Sequence, residues 1–586
     1  MNFVAETKSI AKVLNFGQHI IPDYQRPYAW DESNVEDFWN DVLKDRSSAH
    51  FLGSIVVVEG EPLEVIDGQQ RLTTALIVLS VLRDKMRELN LVDLERGILN
   101  YIEYVNLEGK SQYRITNEDE KARTRLIDDV FNGEPLTENC KNREISPELA
   151  ARKKVVGLLD RRLSESDDPS RVLVEVRDAV LEAEVVYTSG DDRKSAFTIF
   201  ETLNDRGQDL TVVDLVKTVL FSNIGNSAHK KPQRNWEAFV NEVEASQIDW
   251  LSLVDFFAYY WNSKDLDPES SGDEVERRKL RRSVQDYIER QDDNQVASIE
   301  IIEDVLFTAK IFNSLGDTHA SQGKPDTWKQ LVESSTWDGS NWEEISGHLY
   351  GILVTQANQP FVLLFALLRN YLSDSGVITA KQLKKFLSAI KTFQFRWTIA
   401  KKSSTSTQRR IYRRAAVATE QAKTPEDIHR AMTDFINSAN KYSPTDNQFA
   451  DGLKKLTYSS TQKKDVFKVR YVLRELERSQ PTTKLQLNDA LTIEHLSSQK
   501  GKSEATPRNS WIFKLGNLTL LPQDINSSLP TKFDDKAAEL ADLVNDADSV
   551  LKQGLADKEW NSTRAGKRLE WIAEQACKIW PQQIEQ

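Results

Sequence analysis

This 586-residue chain has only two cysteines, no long apolar run and no excess of positive charge. The two cysteines, Cys140 and Cys577, are far apart and lack metal-ligand spacing, which excludes a disulfide framework or a zinc cluster and suits a reducing cytoplasm. No apolar window approaches the ~18–20 residues that a membrane span needs. The N-terminal MNFVAETKSIAKVL lacks the apolar core of a secretory signal. These absences predict a cytoplasmic protein without a membrane partner.

The net charge of −13 argues against a general nucleic-acid coat, but the charge is unevenly distributed. Residues 401–480 carry 17 Lys and Arg against 9 Asp and Glu, a net of +8 that leaves −21 for the rest of the chain. Because a local field steers a polyanion more than total charge does, this segment predicts one basic face.

Hydrophobic periodicity divides the chain into regions of different character. Strand-like runs at 54–59 and 63–66 alternate with helical patterns at 34–43 and 73–87. We predict a multidomain, mostly α-helical protein with three parts: an α+β domain with a helical insertion over 1–225, a helical linker or coupling region over 226–450, and a C-terminal domain over 451–586.

A strand, a glycine turn and a helix N-terminus follow one another in VIDGQQRLTT, residues 65–74. Spare N–H groups at a helix N-terminus favour anions, Gly68 permits positive φ, and Arg71 is a bidentate phosphate partner. Thr73 or Thr74 is the expected helix cap, and the two glutamines can hydrogen-bond a base, a sugar or a metal-bound water. The pattern lacks the Lys-Ser/Thr of a phosphate-binding loop, so it equally fits an ordinary turn with a solvated arginine.

Four motifs occur in the order IPDYQRPYAW (21–30), HFLGSIVV (50–57), VIDGQQRLTT (65–74) and FETLNDRGQDLTVVDLVK (200–217). Together they resemble the ParB-like N-terminal domain of GmrSD-type and SspE-like restriction proteins, in which the DGQQR turn binds and hydrolyses a nucleotide. The resemblance implies a nucleoside triphosphate, GTP or another, as ligand. It implies these nucleotide-site residues: Asp67, Gly68, Gln69, Gln70 and Arg71, with Asn204, Arg206 and Asp214 as further candidates.

The segment from Tyr24 to Trp30 places three aromatic residues around an arginine and a proline. Such residues can stack on a base or enclose a modified DNA group. Alternatively, Tyr28 and Trp30 pack in the core and Arg26 pairs with an acid. The resemblance favours recognition of modified DNA or nucleotide by Tyr24, Gln25, Arg26, Pro27, Tyr28 and Trp30.

Two stretches near the C-terminus, LTIEHLSSQK (491–500) and WIFKLGNLTLLPQDINSSLPTKFDDK (511–536), carry a second set of polar residues. One strand ends at Glu494 and His495, a second strand follows in GNLTLLP, and Asn526 begins a helix. This is the order of a ββα-metal, or HNH, nuclease. We predict His495 as general base, Glu494 and Asn526 as metal ligands, and Asn517 as the residue that holds the histidine loop. Oxygen ligands of this kind suit Mg²⁺ or Mn²⁺ in phosphodiester hydrolysis.

Each part of this second set has a simpler explanation when taken alone. A His beside a Glu fits a surface histidine, and GNLTLL fits a buried strand. In combination they resemble the nuclease domain that accompanies the ParB-like domain in GmrSD-type proteins. The chain departs from that pattern with Ser-Ser-Gln after His495 and Asn, not His, at the third position. Lys532 and Lys536 fit either neutralisation of the scissile phosphate or pairing with Asp534 and Asp535.

The stretch KKSSTSTQRRIYRR, residues 401–414, is the most basic part of the positive segment. If it is helical, Arg409 faces Arg413 and Arg410 faces Arg414, because residues four apart share a helix face. A solvated helix face is the alternative. Its position ahead of the nuclease-like region favours contact with the DNA backbone through Lys401, Lys402, Arg409, Arg410, Arg413 and Arg414.

These expectations combine into a cytoplasmic DNA endonuclease of antiphage defence. Its N-terminal domain hydrolyses a nucleoside triphosphate and senses phosphorothioate or glucosylated cytosine. Its helical middle transmits the nucleotide state, and its HNH domain nicks or cleaves double-stranded phage or modified host DNA. A second copy of the chain and other defence-system proteins are candidate partners. The alternatives are a nucleotide-gated DNA-binding clamp without nuclease activity and an RNA-directed, toxin-like nuclease.

Overall fold

The structure is a computed structural model, and it describes most of the chain. The described residues are 3–22, 25, 28–43, 51–132, 146–191, 195–196, 212–224, 228, 230–264, 266, 275–320, 327–331, 339–373, 376–400, 405–459, 465–480, 485, 491–498, 510–544 and 547–585. Contacts between Cα atoms divide the chain into two units, residues 1–222 and 223–586. The multidomain, mostly helical architecture predicted from the sequence is therefore confirmed.

The first unit mixes strands and helices along the chain. In order they are β1 (Phe3–Ser9), α1 (Ile10–Phe16), β2 (His19–Ile21), α2 (Glu32–Leu43), β3 (Phe51–Val58), β4 (Leu63–Asp67), α3 (Gln69–Glu88), α4 (Val92–Ile102), β5 (Glu103–Val105), β6 (Ser111–Tyr113), β7 (Ile115–Asn117), α5 (Glu120–Arg125), α6 (Pro147–Ser164), α7 (Pro169–Glu182), β8 (Glu184–Gly190) and α8 (Val212–Ser222). A π-helical turn, Leu126–Phe131, continues α5. The strands and helices predicted between residues 34 and 87 are confirmed by α2, β3, β4 and α3.

Six strands of this unit form one mixed sheet in the order β1-β8-β3-β4-β2-β7. The β1–β8 and β3–β4 pairs are antiparallel, whereas β8–β3, β4–β2 and β2–β7 are parallel. In β2, His19 is completely buried, and burial lowers its pKa to about 4. One of the central strands of this sheet, β4, ends directly at the DGQQR turn.

Helix α3 begins where Gly68 turns the chain out of β4. Gly68 has φ of 88° and ψ of 6°, a left-handed conformation that side chains with a Cβ atom disfavour. A Cβ at this position would lie 2.8 Å from Ile55 Cγ1. Gly68 is the N-cap and provides no side-chain cap, so the expectation that Thr73 or Thr74 caps the helix is wrong. The helix is buried on nearly every side because it forms the centre of the unit's core.

The part of the second unit that the structure describes is helical apart from one pair of strands. Its elements are α9 (Lys230–Glu244), α10 (Leu253–Lys264), α11 (Leu280–Ile288), α12 (Asn294–Ala320), α13 (Trp328–Leu331), α14 (Gly339–Leu353), α15 (Phe361–Leu372), α16 (Ala380–Ala400), α17 (Thr405–Glu420), α18 (Pro425–Tyr442), α19 (Asp446–Leu453), α20 (Val466–Arg478), β9 (Leu491–His495), β10 (Leu518–Pro522), α21 (Gln523–Ser528), α22 (Phe533–Ala541), α23 (Ser549–Ala556) and α24 (Ser562–Ile579). Among the described helices, none has the length and apolar character needed to cross a membrane.

One core of the second unit is shared by the helical region and the C-terminal elements. Phe395 of α16 packs against Tyr471 of α20 and Trp580 after α24, with ring centroids 5.2 and 4.5 Å away. The buried guanidinium of Arg396 donates to the Trp580 and Pro444 carbonyl oxygens, each at 2.7 Å. These contacts tie α16 to the end of the chain. The predicted domain border at residue 450 stays a prediction.

Candidate functional site

A small polar cavity lies beside the first turn of α3 in the first unit. Its polar lining comprises Tyr28, Gln69, Gln70, Thr73, Asn117 and Glu148. The volume open to the centre of a water molecule is about 10 Å³, roughly what one bound water requires. This N-terminal cavity brings together Tyr28, Gln69 and Gln70, three of the residues proposed from the sequence.

Hydrogen bonds attach the segment around Tyr28 to the same turn of α3. The Thr74 hydroxyl donates to the Gln70 carbonyl oxygen at 2.8 Å, so the Tyr28 hydroxyl, 2.9 Å away, donates to Thr74 Oγ1. The Gln70 side-chain oxygen accepts the Ala29 N–H at 3.0 Å. The second glutamine of the DGQQR turn therefore fixes the position of the chain that carries Tyr28.

Two more residues of this segment also make defined contacts. The buried Gln25 donates from Nε2 to the Ile66 carbonyl oxygen at 3.3 Å. Trp30 is half-buried and packs against Phe38, with ring centroids 6.0 Å apart. Tyr28 is buried in the core. Tyr28 and Trp30 thus have the packing that the structural alternative requires, while Tyr28 also lines the N-terminal cavity.

Asp67 and Arg71 both contact β3, and neither lines the N-terminal cavity. Arg71 Nη1 donates to the Ser54 carbonyl oxygen at 3.1 Å and lies 3.9 Å from Asp67 Oδ2. The Ser54 hydroxyl donates to Asp67 Oδ2 at 3.0 Å. Gly53, with φ of 98°, lets this guanidinium pack on the β3 backbone, since a Cβ there would lie 3.1 Å from Arg71 Cζ. The DGQQR turn therefore separates its charged residues from its amides.

Two polar residues of the cavity, Asn117 and Glu148, were not identified from the sequence. Glu148 is only 2% exposed, and burial raises its pKa. It lies in the first turn of α6, where it reads in the sequence as an ordinary acidic residue at a helix start. Its position 78 residues after Gln70 gives no sequence signal that the two line one cavity.

Asp214 lies half-buried in α8 and does not line the N-terminal cavity. These candidates lie outside the described residues: Tyr24, Arg26, Pro27, Asn204, Arg206, Lys401 and Lys402.

The C-terminal candidates are collected by β9, β10 and α21. Strands β9 and β10 pair antiparallel, with Glu494 opposite Thr519 and His495 opposite Leu518, and α21 follows β10 without a loop. Thr492 and Glu494 share one strand face because side chains alternate along β9. Asn526 Nδ2 donates to Thr492 Oγ1 at 2.8 Å, which places this amide on the Glu494 side of the strand.

His495 ends β9 in an aromatic environment. It is 5% exposed, its ring stacks on Tyr458 with centroids 5.5 Å apart, and Phe513 lies edge-on at 6.2 Å. Burial lowers the pKa of His495, which favours the neutral imidazole. Nε2 lies 3.3 Å from the Tyr458 carbonyl oxygen. Because a carbonyl only accepts, this contact places the proton on Nε2 and leaves the lone pair on Nδ1.

Asn517 holds the chain that follows His495. Its Oδ1 accepts the Ser497 N–H at 2.9 Å and the Trp560 indole N–H at 3.0 Å. Its Nδ2 donates to the Ser497 and Ile512 carbonyl oxygens at 3.0 and 2.7 Å. With a completely buried side chain, Asn517 links three separate segments by four hydrogen bonds.

Lys536 of α22 completes the C-terminal cluster formed by Glu494, His495, Asn517 and Asn526. Its buried Nζ donates to Glu494 Oε1 at 2.6 Å and to the His495 carbonyl oxygen at 2.8 Å. These contacts differ from the alternative in which Lys536 pairs with Asp534 and Asp535. The lysine instead neutralises the carboxylate of the cluster.

The cluster's potential metal donors are oxygens of a carboxylate and an amide. In the part of the chain that the structure describes, no three His, Cys, Asp or Glu side chains are grouped to hold a metal ion. Glu494 and the Asn526 carbonyl are two hard donors on one strand face. Such a sparse set fits Mg²⁺ or Mn²⁺, which keep waters and take further oxygens from phosphate, and does not fit zinc.

The predicted arginine stripe on α17 is only partly present. Arg409, Arg410 and Arg414 are exposed, but Arg413 is 3% exposed. Placing Arg413 on a surface stripe with Arg409 is therefore wrong, because that side of α17 packs inward next to the buried Tyr412. Arg410 and Arg414 remain as an exposed pair one helical turn apart.

Two family models match the chain. The model for the N-terminal domain of GmrSD restriction endonuclease matches residues 10–221, and the model for the C-terminal domain of GmrSD restriction endonucleases matches residues 443–575. Together they span more than half of the chain. The protein is thus a restriction endonuclease, a class that acts on DNA in phage defence. The chain belongs to the GmrSD restriction endonucleases, as its motifs predicted. A comparison with curated proteins gave no match.

Proposed function

We propose that this restriction endonuclease cuts DNA with an HNH-type C-terminal domain controlled by a ParB-like, nucleotide-hydrolysing N-terminal domain. The observation that carries the proposal is the succession of β9, β10 and α21. It brings Glu494 and Asn526 to the half-exposed face of β9, and His495 follows Glu494 as the last, buried residue of the strand. This is the order of elements that a ββα-metal nuclease requires.

Glu494 and Asn526 would hold Mg²⁺ or Mn²⁺ in this proposal. The bound ion would stabilise the negative charge that develops on the scissile phosphate. Lys536 already places a positive charge on Glu494 Oε1, which leaves Oε2 as the carboxylate oxygen outside that contact. Asn526 uses Nδ2 to bond Thr492, which orients its Oδ1 away from that hydroxyl.

His495 acts as the general base through Nδ1. The attacking water gives its proton to Nδ1 while its oxygen bonds to phosphorus, and the bond from phosphorus to the leaving deoxyribose oxygen breaks with its electron pair going to that oxygen. The neutral imidazole that burial favours is the form able to accept this proton. Asn517 supports the step by fixing Ser497, two residues after the base.

In the N-terminal domain, the start of α3 would bind the phosphates of a nucleoside triphosphate, GTP or another. A helix N-terminus favours anions, and Gly68 leaves the first turn without a side-chain cap. Arg71 would release its Ser54 contact to bind phosphate. The segment around Tyr28 would sense DNA modification, phosphorothioate or glucosylated cytosine, and the nucleotide state would set nuclease activity.

Plasmid nicking tests the nuclease. Supercoiled DNA is incubated with the protein and Mg²⁺ or Mn²⁺, and nicked and linear products are measured. The variant His495→Ala should lose cleavage yet retain phosphate release from nucleotide, whereas His429→Ala, at an exposed histidine, should match the wild type. Full cleavage by His495→Ala would refute the proposed base. Binding without cleavage in the wild type would favour the clamp, and cleavage of RNA alone would favour the toxin-like nuclease.

Nucleotide control is tested with Arg71→Ala. Phosphate release from the four nucleoside triphosphates is measured beside cleavage of unmodified, phosphorothioated and glucosylated DNA. We expect this variant to lose phosphate release and the dependence of cleavage on nucleotide. Loss of hydrolysis with unchanged nucleotide dependence of cleavage would refute the coupling.

A further inference from the structure

The carboxylate of Glu148 is the least explained polar group of the N-terminal cavity. It is 2% exposed, and its Oε2 atom has no hydrogen-bond partner among the described residues. Leaving a buried carboxylate oxygen unbonded is unfavourable, so native proteins normally supply a donor. The protein part of the cavity does not supply one to this oxygen.

The cavity has the size and chemistry to hold the missing donor as a single water molecule. Its open volume of about 10 Å³ matches the space that one water occupies. The amide side chains of Gln69 and Asn117 line the same space and can provide further partners.

The same cavity adjoins the helix turn at which the nucleotide phosphates would bind. Gln69 and Gln70, which line it, are the first two residues of α3. A water between Glu148 and this turn would therefore lie beside a phosphate bound at the helix N-terminus. We propose that Glu148 holds this water and removes its proton during hydrolysis of the nucleotide. The assignment rests on the proposed nucleotide site.

The step balances without another reactant. The water oxygen forms a bond to the terminal phosphorus, and the bond from that phosphorus to the bridging oxygen breaks. The proton passes to Glu148 Oε2, and the electron pair leaves on the nucleoside diphosphate, giving inorganic phosphate. Arg71 and the glutamines cannot accept a proton at neutral pH, and Asp67, the carboxylate of the DGQQR turn, does not line this cavity, so Glu148 is the base beside the water.

The surroundings of Glu148 support a base role. Burial raises the pKa of the carboxyl group above its usual value, and this effect exceeds the lowering by its own backbone N–H, by Arg125 and by the Ser146 hydroxyl; Asp129 raises the pKa further. Tyr28 is the other titratable group that faces Glu148, and its phenol stays neutral because burial raises its pKa. A raised pKa makes a carboxylate a stronger base, which favours proton transfer near neutral pH.

The test compares Glu148→Gln with Glu120→Gln, an exposed acid on α5. Phosphate release is measured with each nucleoside triphosphate and Mg²⁺, with and without DNA, and binding of a non-hydrolysable analogue is measured by calorimetry. We expect Glu148→Gln to lower the turnover rate by about 10²- to 10⁴-fold, the usual effect of a general base, with analogue affinity within about threefold of wild type. Glu120→Gln should match the wild type.

A second variant and a pH profile separate catalysis from packing. Glu148→Asp keeps the charge but withdraws the carboxylate by one methylene, so its rate should lie between those of wild type and Glu148→Gln. The acidic limb of the rate profile should disappear in Glu148→Gln. Wild-type rates in Glu148→Gln and Glu148→Asp overturn this assignment alone. Absence of phosphate release from the wild-type protein overturns the proposed nucleotide hydrolysis and this assignment with it.

Discussion

Replacing Gly68 by alanine should destabilise the first unit strongly, because two separate penalties meet at this residue. An L-residue in the left-handed region costs roughly 1–2 kcal/mol, and Gly68 has φ of 88°. The new Cβ would lie 2.8 Å from Ile55 Cγ1 and 3.0 Å from the Ser54 carbonyl oxygen, and overpacking of this kind costs roughly 1–3 kcal/mol. Lower entropy of the unfolded chain returns about 0.4–1 kcal/mol. The expected net loss is about 2–4 kcal/mol.

Gly97→Ala is the matched control in the same unit. Gly97 lies inside α4, and a Cβ there would meet nothing within 4 Å. Because alanine is favoured over glycine in a helix by roughly 0.5–1 kcal/mol, this substitution should be neutral or stabilising. The two glycines thus predict effects of opposite sign from the same chemical change.

Hydrogen exchange read peptide by peptide is the suitable assay, since it measures opening within one unit. Amides of β3, β4 and α3 should exchange faster in Gly68→Ala, by a factor equivalent to about 2–4 kcal/mol where they exchange through opening of the whole unit. Equal protection in Gly68→Ala and Gly97→Ala would refute the reasoning from φ and Cβ contact.

Three further perturbations have defined outcomes. Asn517→Ala should lower the unfolding free energy of the second unit by about 3 kcal/mol, measured by urea denaturation. The substitution removes four hydrogen bonds and leaves their buried donors and acceptors without a partner. Between pH 7 and pH 4 the wild-type protein should lose about 3 kcal/mol of unfolding free energy through His19, and His19→Gln should not show this loss. The reason is that the unfolded histidine takes up a proton below pH 6.5, whereas the folded one does so only near its pKa of about 4. Arg410→Gln with Arg414→Gln should weaken DNA binding and lower its salt dependence by about one to two charges.

Controls separate these effects from general damage. His429→Gln, at an exposed histidine, should leave the pH dependence of unfolding as in the wild type. Arg282→Gln, at an exposed arginine of α11, should leave the salt dependence of DNA binding unchanged. Unaltered stability in Asn517→Ala, an unchanged acid transition in His19→Gln, or an unchanged salt slope in the double arginine variant would each contradict its prediction.

Local patterns predicted the elements around the DGQQR turn well. Strand-like, β-branched runs predicted β3 and β4, and a helical pattern of apolar residues predicted α3. The start of α3 was placed four residues late, because its amides Gln69 and Gln70 are buried in a cavity and disguise the apolar pattern. The order β9, β10 and α21 was also predicted from the sequence.

Contacts between distant residues were beyond such patterns. Glu148 reaches the cavity only because α6 packs against α3, which no local pattern contains. The sequence suggested that Lys536 could pair with Asp534 and Asp535, but residues one or two apart do not face each other on a helix. Its partner Glu494 lies 42 residues earlier. Burial of Arg413 depends on neighbours of α17 that periodicity of one helix cannot supply.

The bond between Lys536 and Glu494 bears on the order in which the nuclease site is assembled. Many metal sites cannot form until the ion arrives, because their ligands repel one another in its absence. Here a buried ammonium balances the carboxylate and also binds the backbone at His495. The counter-charge of Glu494 therefore comes from the protein itself, and we expect the domain to fold without the ion. For the proposed metal site, removing the ion with a chelator should abolish cleavage without unfolding the domain. Adding the ion back should then restore cleavage.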